Sequence, residues 1–256
     1  MRRPAAIIIP ITGVIISGES SSPGPLPLLP FAGGGITRSD EIVKYIQQVE
    51  ENRRIKAFIF EIDSPGGTPY ASKEIADSIK KVKKPTVAQI REHGTSGAYW
   101  VASACKKIIA DPLSSIGGIG TRADRIDLSE LAKKIGIRID SFVKGEYKGV
   151  GSPYSELSEK EKKFIEEHVE TFNEYFIAEV KRNRKIKDNK ILRDITSGKS
   201  YLGKDALDLG LIDYLGGREK ALQVASDLAG VNLYSIRIKD PTQRPGLMLR
   251  ILKKLF

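Results

Sequence analysis

The stretch IKAFIFEIDSPGG (55–67) packs six apolar residues into positions 55–62 and then breaks at a proline and two glycines. Its β-branched and aromatic side chains favour a pleated, buried strand, and the run is too short for a core helix. Working outward, residues 69–82 place Ala71, Ile75, Ile79 and Val82 at helical spacing, and TVAQI (86–90) reads as the next strand. SGAYWVASAC (96–105) has helical character, and KIIA (107–110) is a short strand. Upstream, AAIIIPITGVII (5–16) reads as the first strand. Downstream come a helix over 127–136 ending at a glycine, a strand over IRIDSFV (137–143), and the clearest helix, 158–182. In that helix Ser158 and Glu161 fit a capping box, and Ile165, Val169, Phe172, Phe176 and Val180 form one apolar stripe. YLGKDALDLGLIDYLGG (201–217) reads as strand, short helix and turn, followed by a helix over 217–229 and a strand over 233–238. Strands alternating with helices predict an α/β fold with parallel pairing.

With 256 residues the chain is long enough for a core that needs neither disulfide nor metal support. We read residues 1–240 as a single domain and 241–256 as a basic amphipathic tail. The stretch 20–35, with four prolines and four glycines around Leu26, Leu28, Leu29 and Phe31, reads equally as a flap or a packed loop. The formal net charge is +10, part of it in 181–193 and part in the tail. A solvated basic face accounts for most such excesses, and among charged partners an anionic membrane surface fits better than nucleic acid. No zinc-ligand spacing, helix-turn-helix signature or aromatic-basic interleaving points to metal or nucleic acid. The run 5–16 has 12 residues and is interrupted by Pro10 and Gly13, where a membrane span needs about 20. Cys105 sits in the apolar run WVASAC and reads as a buried structural thiol.

Chemistry concentrates around HGTSGAYW (93–100). A serine hydroxyl is a poor nucleophile until a base removes its proton. Of the two histidines, His168 is flanked by glutamates on the long helix, and His93 stands only three residues before Ser96. The alternative base is a lysine, which must be neutral to act and is made so by burial. Composition does not choose among 42 basic residues, but Lys148 stands out by context, set among glycines and a tyrosine in GEYKGVGSP (145–153). Backbone amides are needed for an oxyanion. Gly66 and Gly67 after the strand, and Gly97 at a strand-to-helix junction, are placed to offer them.

In the order DSPGG (63–67), TSGAYW (95–100), EYKGVGSP (146–153) and YLGKDALDLGLIDYLGG (201–217), the chain resembles the signal peptide peptidase A (protease IV) family in its short, single-catalytic-domain form. The likeness runs from about residue 36 to 229. It implies a Clp-protease/crotonase-like fold of repeated ββα units and a Ser-Lys dyad serine peptidase that cleaves signal peptides and other short or unfolded hydrophobic peptides. By the same resemblance Ser96 is the nucleophile, Lys148 the general base, and Gly97 with Gly66 or Gly67 the oxyanion donors, Gly67 preferred. No metal, nucleotide or other cofactor is implied. The resemblance also implies a homo-oligomer whose sites are shared between protomers, and membrane association, although no counterpart of the usual anchor is seen. Extended substrate is expected to pair with Thr68 to Ala71 and with residues near Ile116, Gly117 and Gly118. The chain departs from the family in SSIGGIG (114–120), where Gly118 stands in place of a lysine-orienting serine, leaving Ser114, Ser115, Thr95 or a water to supply a hydroxyl. Two other readings are a stomatin-processing membrane protease with a similar dyad and an acyl-CoA-handling enzyme of crotonase-like architecture.

Overall fold

Every residue of the first apolar run from Ala5 to Ile11 is buried, as a central strand of a parallel sheet requires. That strand is β1 (Ala5–Ile16), in a computed structural model that describes residues 3–18 and 35–237. The loop at 20–34 and the tail at 241–256 lie outside the described residues. Along one edge β1 pairs in parallel with β3 (Ile55–Gly67), while β2 (Ile36–Arg38) and β9 (Tyr234–Arg237) also pair with it, near its end and its start. β3 pairs with β4 (Thr86–Thr95), and β4 with both β5 (Lys107–Ala110) and β6 (Ser115–Gly117). β5 pairs with β8 (Tyr214–Leu215), and β6 runs antiparallel to β7 (Ser200–Leu202). The helices are α1 (Ser39–Glu50), α2 (Pro69–Lys81), α3 (Gly97–Ser103), α4 (Ser129–Lys134), α5 (Glu159–Arg184), α6 (Asn189–Ile195), α7 (Gly203–Asp208) and α8 (Arg218–Ala229).

Strand alternation divides the core into two layers. Ile7, Ile9, Ile11, Phe58, Phe60 and Ile62 point to one face and join Tyr45 of α1, Ile75 of α2 and Trp100 of α3. Ala6, Ile8, Ala57, Ile59 and Val87 point to the other and meet Ala221, Val224 and Ala225 of α8. Glu61 shares the α8 face and is buried. Its charge is met by Arg218 at 2.7 Å and by Arg237 of β9. On the opposite layer Trp100 stacks on Phe176 of α5, centroids 4.8 Å apart.

Most expected elements form, several with different limits. β3 does not stop before DSPGG but runs through Gly67, and β4 runs on to Thr95. The capping box of α5 is made: Ser158 N–H donates to Glu161 Oε2 at 2.9 Å, and Glu161 N–H to Ser158 Oγ at 3.3 Å. Of its apolar stripe only Phe176 and Val180 are buried, and Phe172 is exposed. The strand expected at 137–143 does not form. Its side chains are exposed, Phe142 at 96%, and no strand among the described residues takes up its backbone. Conversely, α1 and α6 have no counterpart among the expected elements. α1 buries Ile42, Tyr45, Ile46 and Val49 on one face, and Lys84 Nζ donates to the carbonyls at its end, including Asn52 O at 2.9 Å. α6 opens on Asp188, whose side chain accepts from Lys190 N–H at 2.7 Å.

The described residues form two compact units, one up to Gly120 and from Phe176 onward, the other Thr121–Tyr175. In the smaller unit Asp127 accepts from Ser129 N–H (2.9 Å) ahead of α4, and Leu128 N–H donates to Pro153 O at 2.7 Å. In the larger unit Asp213 ties three segments together, accepting from Ile108 N–H (2.8 Å), Arg184 (2.9 Å) and Lys107 (3.0 Å). Burial alone pushes its carboxyl up, but Arg184, its hydrogen bonds and Lys107 outweigh that and hold it below the ordinary value.

Both the Trp100 stack and the Asp213 cluster have measurable consequences for stability. Phe176→Ala removes a buried ring from the stack and is expected to lower unfolding free energy by about 3–5 kcal/mol in a denaturant titration. Because the Asp213 carboxyl is depressed in the folded chain, its contribution is complete above the ordinary carboxylate range and is lost as pH falls through the folded value. Asp213→Asn is therefore expected to be less stable than wild type at pH 7, with the difference narrowing on acidification below that range, read by urea unfolding.

Candidate active site

Ser96 occupies the junction between β4 and α3 with φ 52° and ψ −130°, a conformation that costs a non-glycine residue about 1–3 kcal/mol. The surroundings over-determine it. Its N–H donates to Gly117 O at 2.7 Å, and its carbonyl accepts from Tyr99 N–H at 2.9 Å and Trp100 N–H at 3.1 Å. Tyr99 and Trp100 are themselves buried, so the turn is anchored in the core. Gly118, at φ +59°, passes so close that a Cβ there would stand 3.4 Å from Ser96 N. A strained, half-buried serine at a sharp strand-to-helix turn is a presented side chain.

The glycines of the β3 end lie against this turn. A Cβ on Gly66 would stand 2.7 Å from Gly97 N and 2.9 Å from Ser96 Cβ, and its φ of +105° disfavours a side chain in any case. A Cβ on Gly67 would overlap the Ile15 carbonyl of β1. A Cβ on Gly97 would stand 3.2 Å from Gly67 N. Gly66, Gly67, Ser96 and Gly97 are thus gathered into one corner of the larger unit, with two backbone amides next to a serine.

The edges expected to pair with extended substrate are in use. Pro69 opens α2, so Pro69 to Ala71 form a helical turn rather than a strand, and Thr68 N–H already donates to Ile15 O at 2.9 Å. Ile116 and Gly117 are paired on one side with β4 and on the other with β7. Gly118 N–H donates to Lys199 O at 2.9 Å, and Ile119 O accepts from Gly198 N–H at 3.0 Å. Thr68, Ile116, Gly117 and Gly118 therefore frame the serine instead of offering a free ladder.

Both histidines have polar contacts with residues near them in sequence. His93 Nε2 lies 3.5 Å from its neighbour Glu92, and His168 Nδ1 contacts Phe164 O at 2.8 Å on the face of α5 that carries the Phe164 ring. Lys148 belongs to the smaller unit. It is exposed in a turn in which its N–H donates to Gly145 O at 3.1 Å. The turn is pinned just before it, by Glu146 to Lys160 at 2.8 Å and by the Tyr147 ring stacked on Phe164 at 5.0 Å. Among the described residues Lys148 makes no ion pair. Of the hydroxyls that could partner a lysine, Ser114 Oγ is committed to Arg91 O and Asp111 N–H. Cys105 is buried, which pushes its thiol up and keeps it inert. Among the described residues the buried carboxylates Glu61 and Glu179 are ion-paired, so neither is a free acid for acyl-CoA chemistry. Among the described residues no group of three or more His, Cys, Asp or Glu is placed to hold a metal.

One residue escapes a reading of the sequence alone. Ser72, on the inward face of α2 beside Ala71 and Ile75, is fully buried next to Gly97. Its place one residue after Ala71, on a helix whose apolar face is readable from spacing, is the available signal.

Residues 78–232 match peptidase family S49. The protein MJ0651 of Methanocaldococcus jannaschii is 32% identical over 74% of this chain and 61% of its own length. Serine protease SPPA, chloroplastic, of Arabidopsis thaliana is 30% identical over 79% of this chain and 32% of its own. Protease 4 of Haemophilus influenzae is 27% identical over 86% of this chain and 34% of its own. The chain thus spans less than two thirds of these relatives. Among solved structures, the 1510-N membrane-bound stomatin-specific protease, as a serine-to-alanine mutant, superposes with a TM-score of 0.57 at 17% identity, covering 93% of this chain and 99% of that one. A lysine-to-alanine mutant of the same protease, in complex with a substrate peptide, gives 0.56 at 19% identity over 98% and 99%. The expected Clp-protease/crotonase-like architecture is therefore the fold observed. By the match over residues 78–232, the chain belongs to peptidase family S49.

Proposed function

We propose that the chain is a serine endopeptidase in which Ser96 attacks, Lys148 is the general base, and the amides of Gly67 and Gly97 receive the oxyanion. The observation that carries this reading is the strained Ser96 turn set against the Gly66–Gly67 backbone. Ser96 Oγ adds to the scissile carbonyl carbon as the neutral Lys148 amine takes its proton. Charge then gathers on the former carbonyl oxygen, where two N–H donors stabilise it. The protonated lysine returns the proton to the leaving amine, which departs with its C–N bond broken. Water then adds to the acyl carbon as it loses a proton to the same lysine, and the C–Oγ bond breaks as the lysine passes that proton to Ser96 Oγ, freeing the acid product. Gly66 shapes this corner by yielding space to Gly97.

Signal peptides and other short or unfolded hydrophobic peptides are the substrates we assign. Family membership and the serine protease relative support this class. Stomatin processing ranks second, because the stomatin-specific protease shares this fold at only 17% identity. The exposure of Lys148 bears on how it works as a base, since a lysine is made neutral by burial. We infer that a second copy of the chain covers it. Exposed Phe142 and Val143 of the same segment suit such a contact, and the site would then be shared between protomers. Membrane association follows the same line of reasoning from relatives. Among the described residues no helix is long and apolar enough to cross a bilayer.

Peptide-library cleavage is expected to fall at least about 1,000-fold in Ser96→Ala and in Lys148→Ala, and to stay within about threefold of wild type in His93→Ala. Retained hydrolysis in Lys148→Ala with loss in His93→Ala would sink the dyad. Co-expression of Ser96→Ala with Lys148→Ala chains is expected to restore part of the activity, because a mixed assembly brings an intact serine against an intact lysine. No recovery, in an assembly shown by mass to contain both chains, would confine the site to one protomer.

A further inference from the structure

We propose that Ser72 is a positioning residue for the oxyanion donors, an inference that rests on Ser96 being the nucleophile. Ser72 is completely buried in the first turn of α2, where its N–H donates to Thr68 O at 3.1 Å. Its hydroxyl finds no hydrogen-bond partner among the described residues. A helical serine usually turns its hydroxyl back onto the carbonyl four residues earlier, here Thr68, and Ser72 does not. The hydroxyl is turned instead onto Gly97. A Cβ on Gly97 would overlap Ser72 Oγ, would stand 3.0 Å from Ser72 Cβ, and would lie 3.2 Å from Gly67 N. Three groups therefore meet at one point: the Ser72 side chain, the Gly97 backbone and the Gly67 amide.

A buried hydroxyl left unpaired lowers stability, and alanine would fill most of the same space without that penalty. Core stability is thus no reason for serine at this position. Its Oγ is the surface on which Gly97 Cα rests, and α2 holds that surface at a fixed depth through Ile75 and Ile79 in the core. The spacing of the Gly97 and Gly67 amides is set by this contact. A shift of a few tenths of an ångström in an oxyanion donor is felt in the transition state and not in the ground state, because the oxyanion is where charge develops.

The test uses two variants that bracket the size of the hydroxyl, Ser72→Ala and Ser72→Cys, with Ser78→Ala on the same helix as a control. Ser72→Ala and Ser72→Cys are expected to lower kcat for peptide hydrolysis tenfold or more with KM within twofold. Inhibition by a peptide aldehyde, which forms a tetrahedral adduct on Ser96, is expected to weaken by a similar factor. The melting temperature of Ser72→Ala is expected to equal or exceed that of wild type, the opposite of what a structural role gives. Ser78→Ala is expected to leave kcat unchanged. If both Ser72 variants keep kcat and aldehyde affinity within twofold of wild type, while hydrolysis still requires Ser96, the inference is overturned and the peptidase reading stands. Wild-type hydrolysis that survives Ser96→Ala overturns both.

Discussion

Gly67 lies so close to the Ile15 carbonyl that no side chain fits between β3 and β1, and the geometry of the serine corner hangs on that approach. The strand pairing carries the end of β3 past the point where Pro65 and the glycines suggest a turn, and Gly66, at φ +105°, then swings the backbone against the Ser96–Gly97 peptide. Parallel strands alone would leave these amides facing a neighbour in the ladder. The register shift between Thr12 and Val14 of β1, opposite Asp63 and Gly66, is where the ladder gives way to the site.

Around that contact, the chain places rigidity and strain in different hands. The core layers under β1, β3 and β4 are made of isoleucine and phenylalanine with little exposure, and they tolerate a single residue held in an unfavourable conformation above them. Ser96 is held by three backbone hydrogen bonds, one donated to Gly117 O and two accepted from Tyr99 and Trp100 N–H, whose residues are themselves fixed, Gly117 by β6 and Tyr99 and Trp100 by the core. Backbone hydrogen bonds also close the flanks, since 116–119 are latched to 198–201. At the corner Gly66 and Gly97 are buried, Ser96 is half-buried, and Gly67 and Thr68 are exposed.

Much of this is legible in the sequence where patterns are dense. The runs at 5–16 and 55–62 are apolar on both faces, which only a central strand explains, and the capping box at Ser158 announces α5. Alternation misleads at 137–143, because β-branched residues make a strand only when a partner strand exists, and the described residues supply none there. α1 is hard to see because its four buried apolar residues sit among charged and polar ones. The use of the 116–118 edges depends on a segment some eighty residues later in the chain, and the Ser72 contact on a helix twenty-five residues away. Such pairings have no local signature.

The buried carboxylate of Glu61 also has a bearing on how the chain comes to be folded as it is synthesised. Its two arginines follow it by 157 and 176 residues. Until both have been made, closing the α8 face over β3 would bury an uncompensated charge, which is strongly unfavourable. The α8 face of this strand is therefore closed only after segments 157 and 176 residues further on have been made. The contacts that hold Ser96 lie between Ile15 and Gly117, so the serine corner and the α8 face of the same strand are completed by segments far apart in the order of synthesis.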